Sequence, residues 1–337
     1  MRTLLPFLML LFTSLITAQD VSEKMFSTDE IRIRDPYIFA DTVTRKYYMY
    51  AQRHNRLVDN SDNAAFKGVE VYVSSDLRQW EAPKPVLVLD ENSWATNIVW
   101  APELHAYNGK YYLFVTLTSS ETHTNMKKPE GETDWPPHYK RGTQIFVADS
   151  PMGPFKAFDN RPHTPDNWMA LDGTLYVESG TPYMIFCHEW VEIVDGSIDY
   201  IRLAPDLSKP VGKPRTMFHA SEAKWSTGVK NKVTDGCFIY RTKWNKLLMI
   251  WSSFGTKGYA IGIAESKSGK LKGPWMQQEA LLFEEDGGHG MIFKTFDGRL
   301  LLAFHQPNSP AGKERLKLFE IEDTGESLRL KYGANSH

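Results

Sequence analysis

Five residues of this 337-residue chain carry acid–base chemistry and open segments that resemble one another: Asp35, Glu103, Asp172, Asp235 and His289, spaced roughly 55–70 positions apart. Four carboxylates and an imidazole drawn to one place repel unless they share protons or bind something. Carboxyl groups facing each other across a sugar-sized cavity do such work. One protonates the leaving oxygen of a glycosidic bond, while an ionised partner activates water or attacks the anomeric carbon. The two must hold their protons at different pH, and a third carboxylate can drive them apart. Acidic residues also cap strands and turns, but four acidic openings out of five exceed what capping needs.

A repeat must place them. Each opening residue begins or adjoins an apolar stretch, followed by a turn with Gly, Asn or Lys and a second stretch rich in aromatic or aliphatic residues. Residues 35–39 lead to 47–50, 101–105 to 111–114, 172–176 to 183–186, 235–239 to 247–250, and 290–293 to 300–303. The alternation and turn chemistry predict β-hairpins. Further strands follow four of them at 69–74, 143–148, 198–203 and 259–264. Units of about four strands, repeated five times, predict an all-β fold: a five-bladed β-propeller with four-stranded antiparallel blades around a central channel. Each small sheet then buries its faces against its neighbours. A β-sandwich would not repeat the opening motif. In a propeller the innermost strands line the channel and begin near one mouth, so the five residues converge.

The formal net charge is -2, which leaves no basic surplus for phosphates and argues against nucleic acid as a partner. Aromatic residues make up 13%, including ten tryptophans, and flat rings suit the C–H faces of a carbohydrate. Residues 1–18 read as a cleaved signal peptide, with Arg2 ahead of an apolar stretch and Ala18 at its end. No later stretch approaches the roughly 18 apolar residues of a membrane span. The expectation is a secreted or periplasmic protein, with residues 19–337 forming one monomeric catalytic domain and no membrane insertion. Cys187 and Cys237 could pair there or remain buried thiols.

The segments Arg34-Asp35-Pro36-Tyr37-Ile38, Trp100-Ala101-Pro102-Glu103, Leu171-Asp172-Gly173 and Gly288-His289-Gly290 resemble the blade-opening motifs of glycoside hydrolase family 43. The resemblance implies inverting hydrolysis of α-L-arabinofuranosides or β-D-xylosides, less often galactosides. It also implies Asp35 as general base and Asp172 as the residue that orients the acid and tunes its pKa. The family's acid is a glutamate opening the fourth blade, where this chain has Thr234-Asp235-Gly236. Two residues are open for the role. One is Asp235; the other, ranked first, is Glu189, whose neighbours His188 and Trp190 suit a raised pKa. His289 resembles a histidine that faces a metal ion; oxygen-rich surroundings would favour a structural calcium, although the hydrolysis requires no cofactor. Trp100, Glu103, His54 and Trp190 are expected to contact substrate, and the insertions 121–140 and 159–169 to shape the rim.

Other functions fit part of this pattern. An exo-galactosidase or a retaining fructofuranosidase-like hydrolase would use the same propeller, the latter with carboxyls about 5 Å apart rather than the 6.5–9.5 Å of an inverting enzyme. A non-catalytic carbohydrate-binding propeller would keep the aromatic platforms without needing Asp35.

Overall fold

The computed structural model describes residues 24–53, 66–123, 128–228 and 232–331. The segment 1–18 and His54 lie outside the described residues. Five antiparallel sheets follow one another along the chain. Their innermost strands are Tyr37–Asp41, Ile98–Tyr107, Ala170–Glu178, Asp235–Arg241 and Gly288–Lys294. Each touches the innermost strand of the next blade, and the fifth touches the first, which closes the ring. This is the predicted five-bladed propeller.

Blades two to five have four strands, each hydrogen-bonded to the next in chain order. The first blade adds Met25–Ser27 beside Gln79–Glu81, and Lys84–Val88 beside Gly68–Ser74. Polar contacts join it to the fifth blade. Arg32 pairs with Arg315 through the backbone, and both Arg32 and Arg34 bond the buried Glu314 carboxylate.

Strand geometry sends successive side chains to opposite faces, and every face between blades is buried, so both must be apolar. In Leu247–Gly255 of blade four, Leu247, Met249 and Trp251 pack against Ile185, Cys187 and Phe218 of blade three. The intervening Leu248 and Ile250 pack against Ile292, Leu302 and Phe304 of blade five. Blade three divides in the same way: Met184 and Phe186 face blade two, while Ile185 and Cys187 face blade four. Cys187 and Cys237 meet at that junction as buried free thiols.

Trp251 is fully buried, and its indole N–H donates to Gln277 Oε1 at 3.0 Å. It belongs to the core and not to a sugar platform. Trp251→Ala is therefore expected to cost about 3–5 kcal/mol, measured by denaturant unfolding. A loss below about 1 kcal/mol would contradict this packing.

Candidate active site

Four inner strands begin with the same irregularity: two residues oppose one on the partner strand, between Trp100 and Glu103, Leu171 and Thr174, Asp235 and Phe238, and Gly288 and Met291. The first residue inside each bulge has left-handed backbone: Ala101 (φ 42°), Asp172 (φ 55°), Gly236 (φ 55°) and His289 (φ 55°). Asp35 (φ 52°) holds the same place just ahead of its strand. A bulge re-aims the side chain it carries.

The bulges correct the register inferred from sequence. Ala101 and Gly236, and not Glu103 and Asp235, are the counterparts of Asp35, Asp172 and His289. Glu103 lies two residues further on, 6% exposed, with Oε2 3.2 Å from His105 Nε2, and is not among the residues lining the cavity. At Gly236 a Cβ would stand 2.8 Å from the Cα of His289. Blade four cannot place a side chain at that point, so its carboxylate comes from the preceding Asp235.

The N–H of each of these five left-handed residues is bonded by a side chain of the preceding blade. Asp35 donates to His305 Nδ1 (3.2 Å), Ala101 to Gln52 Oε1 (2.9 Å), Asp172 to Thr116 Oγ1 (2.8 Å) and His289 to Ser252 Oγ (2.8 Å). Gly236 donates to the Asp172 carboxylate itself (3.0 Å).

A cavity of 1510 Å³ opens here, with Asp35, Asp172, Asp235, Glu189, His289, Trp100 and Trp190 in its lining. His289 Nδ1 stands 3.2 Å from Asp35 Oδ1 and 3.8 Å from Asp172 Oδ2, so one imidazole bridges two carboxyl groups. Burial alone would raise the pKa of Asp35. His289, with Nδ1 at 3.2 Å, and Arg34 outweigh it and hold Asp35 well below the usual carboxylate range. Asp172 goes the other way: burial, then repulsion by Asp35, push it far up against the hydrogen bond from Gly236. For Asp235, burial and repulsion by Asp172 raise the pKa to about 7, while His289 and a 2.9 Å hydrogen bond from Tyr259 Oη draw it down. Tyr259 has room because residue 288 is glycine; a Cβ there would lie 2.4 Å from its ring. The site thus holds one ionised carboxylate beside two that keep protons, which is the division acid–base hydrolysis needs.

Glu189 follows the strand Thr181–His188 and caps the short helix Trp190–Ile193. Its pKa is raised, because burial outweighs the Arg141 guanidinium bonded to Oε2, which draws it down. The described parts of the two insertions do not line the cavity. They brace this segment from outside. Trp135 Nε1 donates to Val191 O at 2.7 Å and meets Trp190 edge-on at 5.1 Å, Trp168 stacks on His188 at 4.0 Å, and His138 Nε2 stands 3.5 Å from Glu192 Oε2. Arg141 and Tyr259 were not singled out in the sequence, because each is an ordinary strand residue whose partners are distant in the chain.

His289 uses Nδ1 on two carboxylates, and among the described residues no group of three or more His, Cys, Asp or Glu side chains is arranged to hold a metal ion. These residues do not fit a calcium ion ligated directly by protein side chains.

A propeller whose channel mouth joins an ionised carboxylate to proton-holding partners, inside a cavity walled by tryptophan, defines the class of propeller glycoside hydrolases. The chain belongs to glycosyl hydrolases family 43, whose model matches residues 28–326. The crystal structure of an endo-arabinase from Bacteroides thetaiotaomicron is 37% identical, with TM-score 0.72, over 92% of this chain and 98% of that one. A probable arabinan endo-1,5-alpha-L-arabinosidase C of Aspergillus fumigatus is 32% identical over 91 residues, 26% of this chain and 25% of that protein. The extracellular endo-alpha-(1->5)-L-arabinanase 1 of Bacillus subtilis is 22% identical over 232 residues, 66% of this chain and 64% of its own length. The matched regions thus span less than two thirds of these two curated relatives.

An aspartate that keeps its proton to about 7 when folded, but only to about 3.9 when unfolded, weakens folding as pH rises between those values. The unfolded chain has then released a proton that the folded chain retains. Asp235→Asn removes this penalty. It is expected to raise stability at pH 8 by on the order of 1–4 kcal/mol, with the gain vanishing near pH 4, in thermal denaturation across pH. An equal effect at both ends would contradict the assignment.

Proposed function

We propose that this glycoside hydrolase cleaves internal α-1,5-linked L-arabinofuranosyl bonds of arabinan in one inverting step. The names of its relatives support arabinan over single-sugar arabinofuranosides and xylosides. Size supports internal cleavage: 1510 Å³ exceeds the 300–1,000 Å³ usual for a small-ligand pocket. Besides the carboxyl groups, the lining takes in Trp100 and Ile98 and, from blade one, Gln52, Arg53 and Tyr72, a wall large enough for several sugar units. Secretion, supported by the apolar N-terminal stretch and by an extracellular relative, would bring the enzyme to its polymer.

The observation that carries the mechanism is the contrast in surroundings of neighbouring carboxyl groups: His289 and Arg34 stand against Asp35, while Asp172 and Asp235 are buried beside other carboxyls. Asp35, ionised, takes the proton of the attacking water. Asp235 gives its proton to the leaving oxygen, and burial, with the neighbouring Asp172 and Asp35 carboxyl groups, keeps that proton in place near neutrality. Asp172 is only 4% exposed, whereas Asp235 is partly open to the cavity. The sequence ranks Glu189 ahead as acid, and its longer side chain and place in the cavity wall favour that second reading. We place Asp235 first because Glu189 faces a guanidinium, which favours its anion, while Asp235 faces another carboxyl, which favours its acid form.

On linear α-1,5-arabinan the expected result is a rapid fall in viscosity, a ladder of oligosaccharides, and a first-formed anomer of inverted configuration by proton NMR. Asp35→Ala should lower kcat/KM about 10²–10⁴-fold. Arabinan left intact while aryl pentosides release single sugars would sink the substrate assignment, and a retained anomer would sink the mechanism. Asp235→Ala should lose far more rate on arabinan than on an aryl arabino-oligoside whose activated leaving group needs no proton. Should Glu189→Gln show that contrast instead, the second reading holds.

A further inference from the structure

Arg141 is a buried cation directly behind the cavity wall, with its side chain 5% exposed. It belongs to Tyr139–Ala148 and has partners from three other parts of the chain. Nε donates to Thr118 Oγ1 at 2.9 Å, Nη1 donates to Glu189 Oε2, and the guanidinium lies 4.3 Å from the centre of the Trp100 ring. Trp100 and Glu189 both line the cavity, and Glu189 is near enough to Asp172 to influence its charge. Among the described residues nothing hydrogen-bonds Glu189 Oε1, although the side chain is 13% exposed. A buried ion pair seldom stabilises a fold more than apolar residues of equal volume. An ion pair kept at a cavity wall, with one carboxylate oxygen unused, therefore points to a ligand.

We propose that Arg141 is a positioning residue that holds Glu189 as an anion and Trp100 at a fixed tilt, so that together they form a binding subsite for an uncharged furanosyl unit beside the scissile bond. Glu189 Oε1 accepts hydrogen bonds from the sugar hydroxyls, and Trp100 offers the ring surface that the guanidinium leaves open. The guanidinium suits this role because it is planar and permanently charged, and its fork fixes carboxylate and indole at once. This inference rests on the reading of Asp235 as proton donor.

The test compares Arg141→Lys, Arg141→Met, Glu189→Gln and the double variant Arg141→Met/Glu189→Gln on arabino-oligosaccharides, with kcat and KM followed across pH. Arg141→Met leaves a buried carboxylate unpaired and is expected to cost much stability; the double variant removes both charges, and Glu189→Gln alone keeps the shape. The expected result for the double variant and for Glu189→Gln is a KM raised about tenfold with kcat changed by no more than a few-fold. Arg141→Lys should recover part of the affinity. Where Arg141→Met folds, its KM should rise with falling pH through the neutral range, as Glu189 takes up a proton, and wild-type KM should not. Wild-type KM in both Glu189→Gln and the double variant overturns the subsite. Loss of kcat in Glu189→Gln on arabinan, with activity kept on an activated aryl arabino-oligoside, instead overturns the reading of Asp235 as donor.

Discussion

The geometry of the channel mouth depends on one recurring hydrogen bond: the N–H of each left-handed residue there, held by a side chain of the preceding blade. A left-handed residue other than glycine carries a strain of about 1–3 kcal/mol and persists only where its surroundings over-determine it. A buried N–H left without an acceptor would add about 1–3 kcal/mol more. His305, Gln52, Thr116 and Ser252 supply the acceptors in four blades. The same contacts align each blade with its neighbour, so the ring and the site share one set of bonds. In blade four the acceptor is the Asp172 carboxylate. That side chain therefore serves the architecture and the electrostatics together, which explains why it is the most deeply buried of the three aspartates.

Crowding three carboxyl groups at one mouth would be unfavourable if all were ionised. His289 makes the arrangement tolerable. It stands between Asp35 and Asp172 and, with Arg34, favours the charged form of the first. Once Asp35 is charged, its field bears on the other two, and they keep protons.

Most of the blade pattern was legible in the sequence because both of its causes are local. Alternating apolar residues mark strands buried on two faces, and Gly, Asn or Lys turns mark the hairpins; the predicted hairpins coincide with strands such as Lys46–Arg53 and Leu247–Gly255. The bulges were not legible. One added residue scarcely disturbs the alternation, so Glu103 and Asp235 passed for counterparts of Asp35 when Ala101 and Gly236 hold that place. Contacts between blades were equally hidden. Arg141 reaches Glu189 across 48 positions, and no motif marks either end. The long insertions, rich in Trp and His, suggested a rim for the pocket, yet their described aromatics cover the outer side of the Trp190–Ile193 helix.

The place of the carboxylate in the fourth blade follows from packing. His289 sits so close over Gly236 that a side chain there is excluded, and the carboxylate moves one residue back, under the Tyr259 hydroxyl. An aspartate in that place is short, but Asp172 lies beside it and shifts its proton affinity towards neutrality. Glu189 is longer and lies in the same cavity, yet a guanidinium stands where Asp235 has a carboxyl. In our proposal the neighbour decides what each group does. A carboxyl next to another carboxyl keeps a proton to give, and a carboxyl next to a guanidinium stays charged and accepts hydroxyls. Reach alone would assign the proton to Glu189; charge assigns it to Asp235.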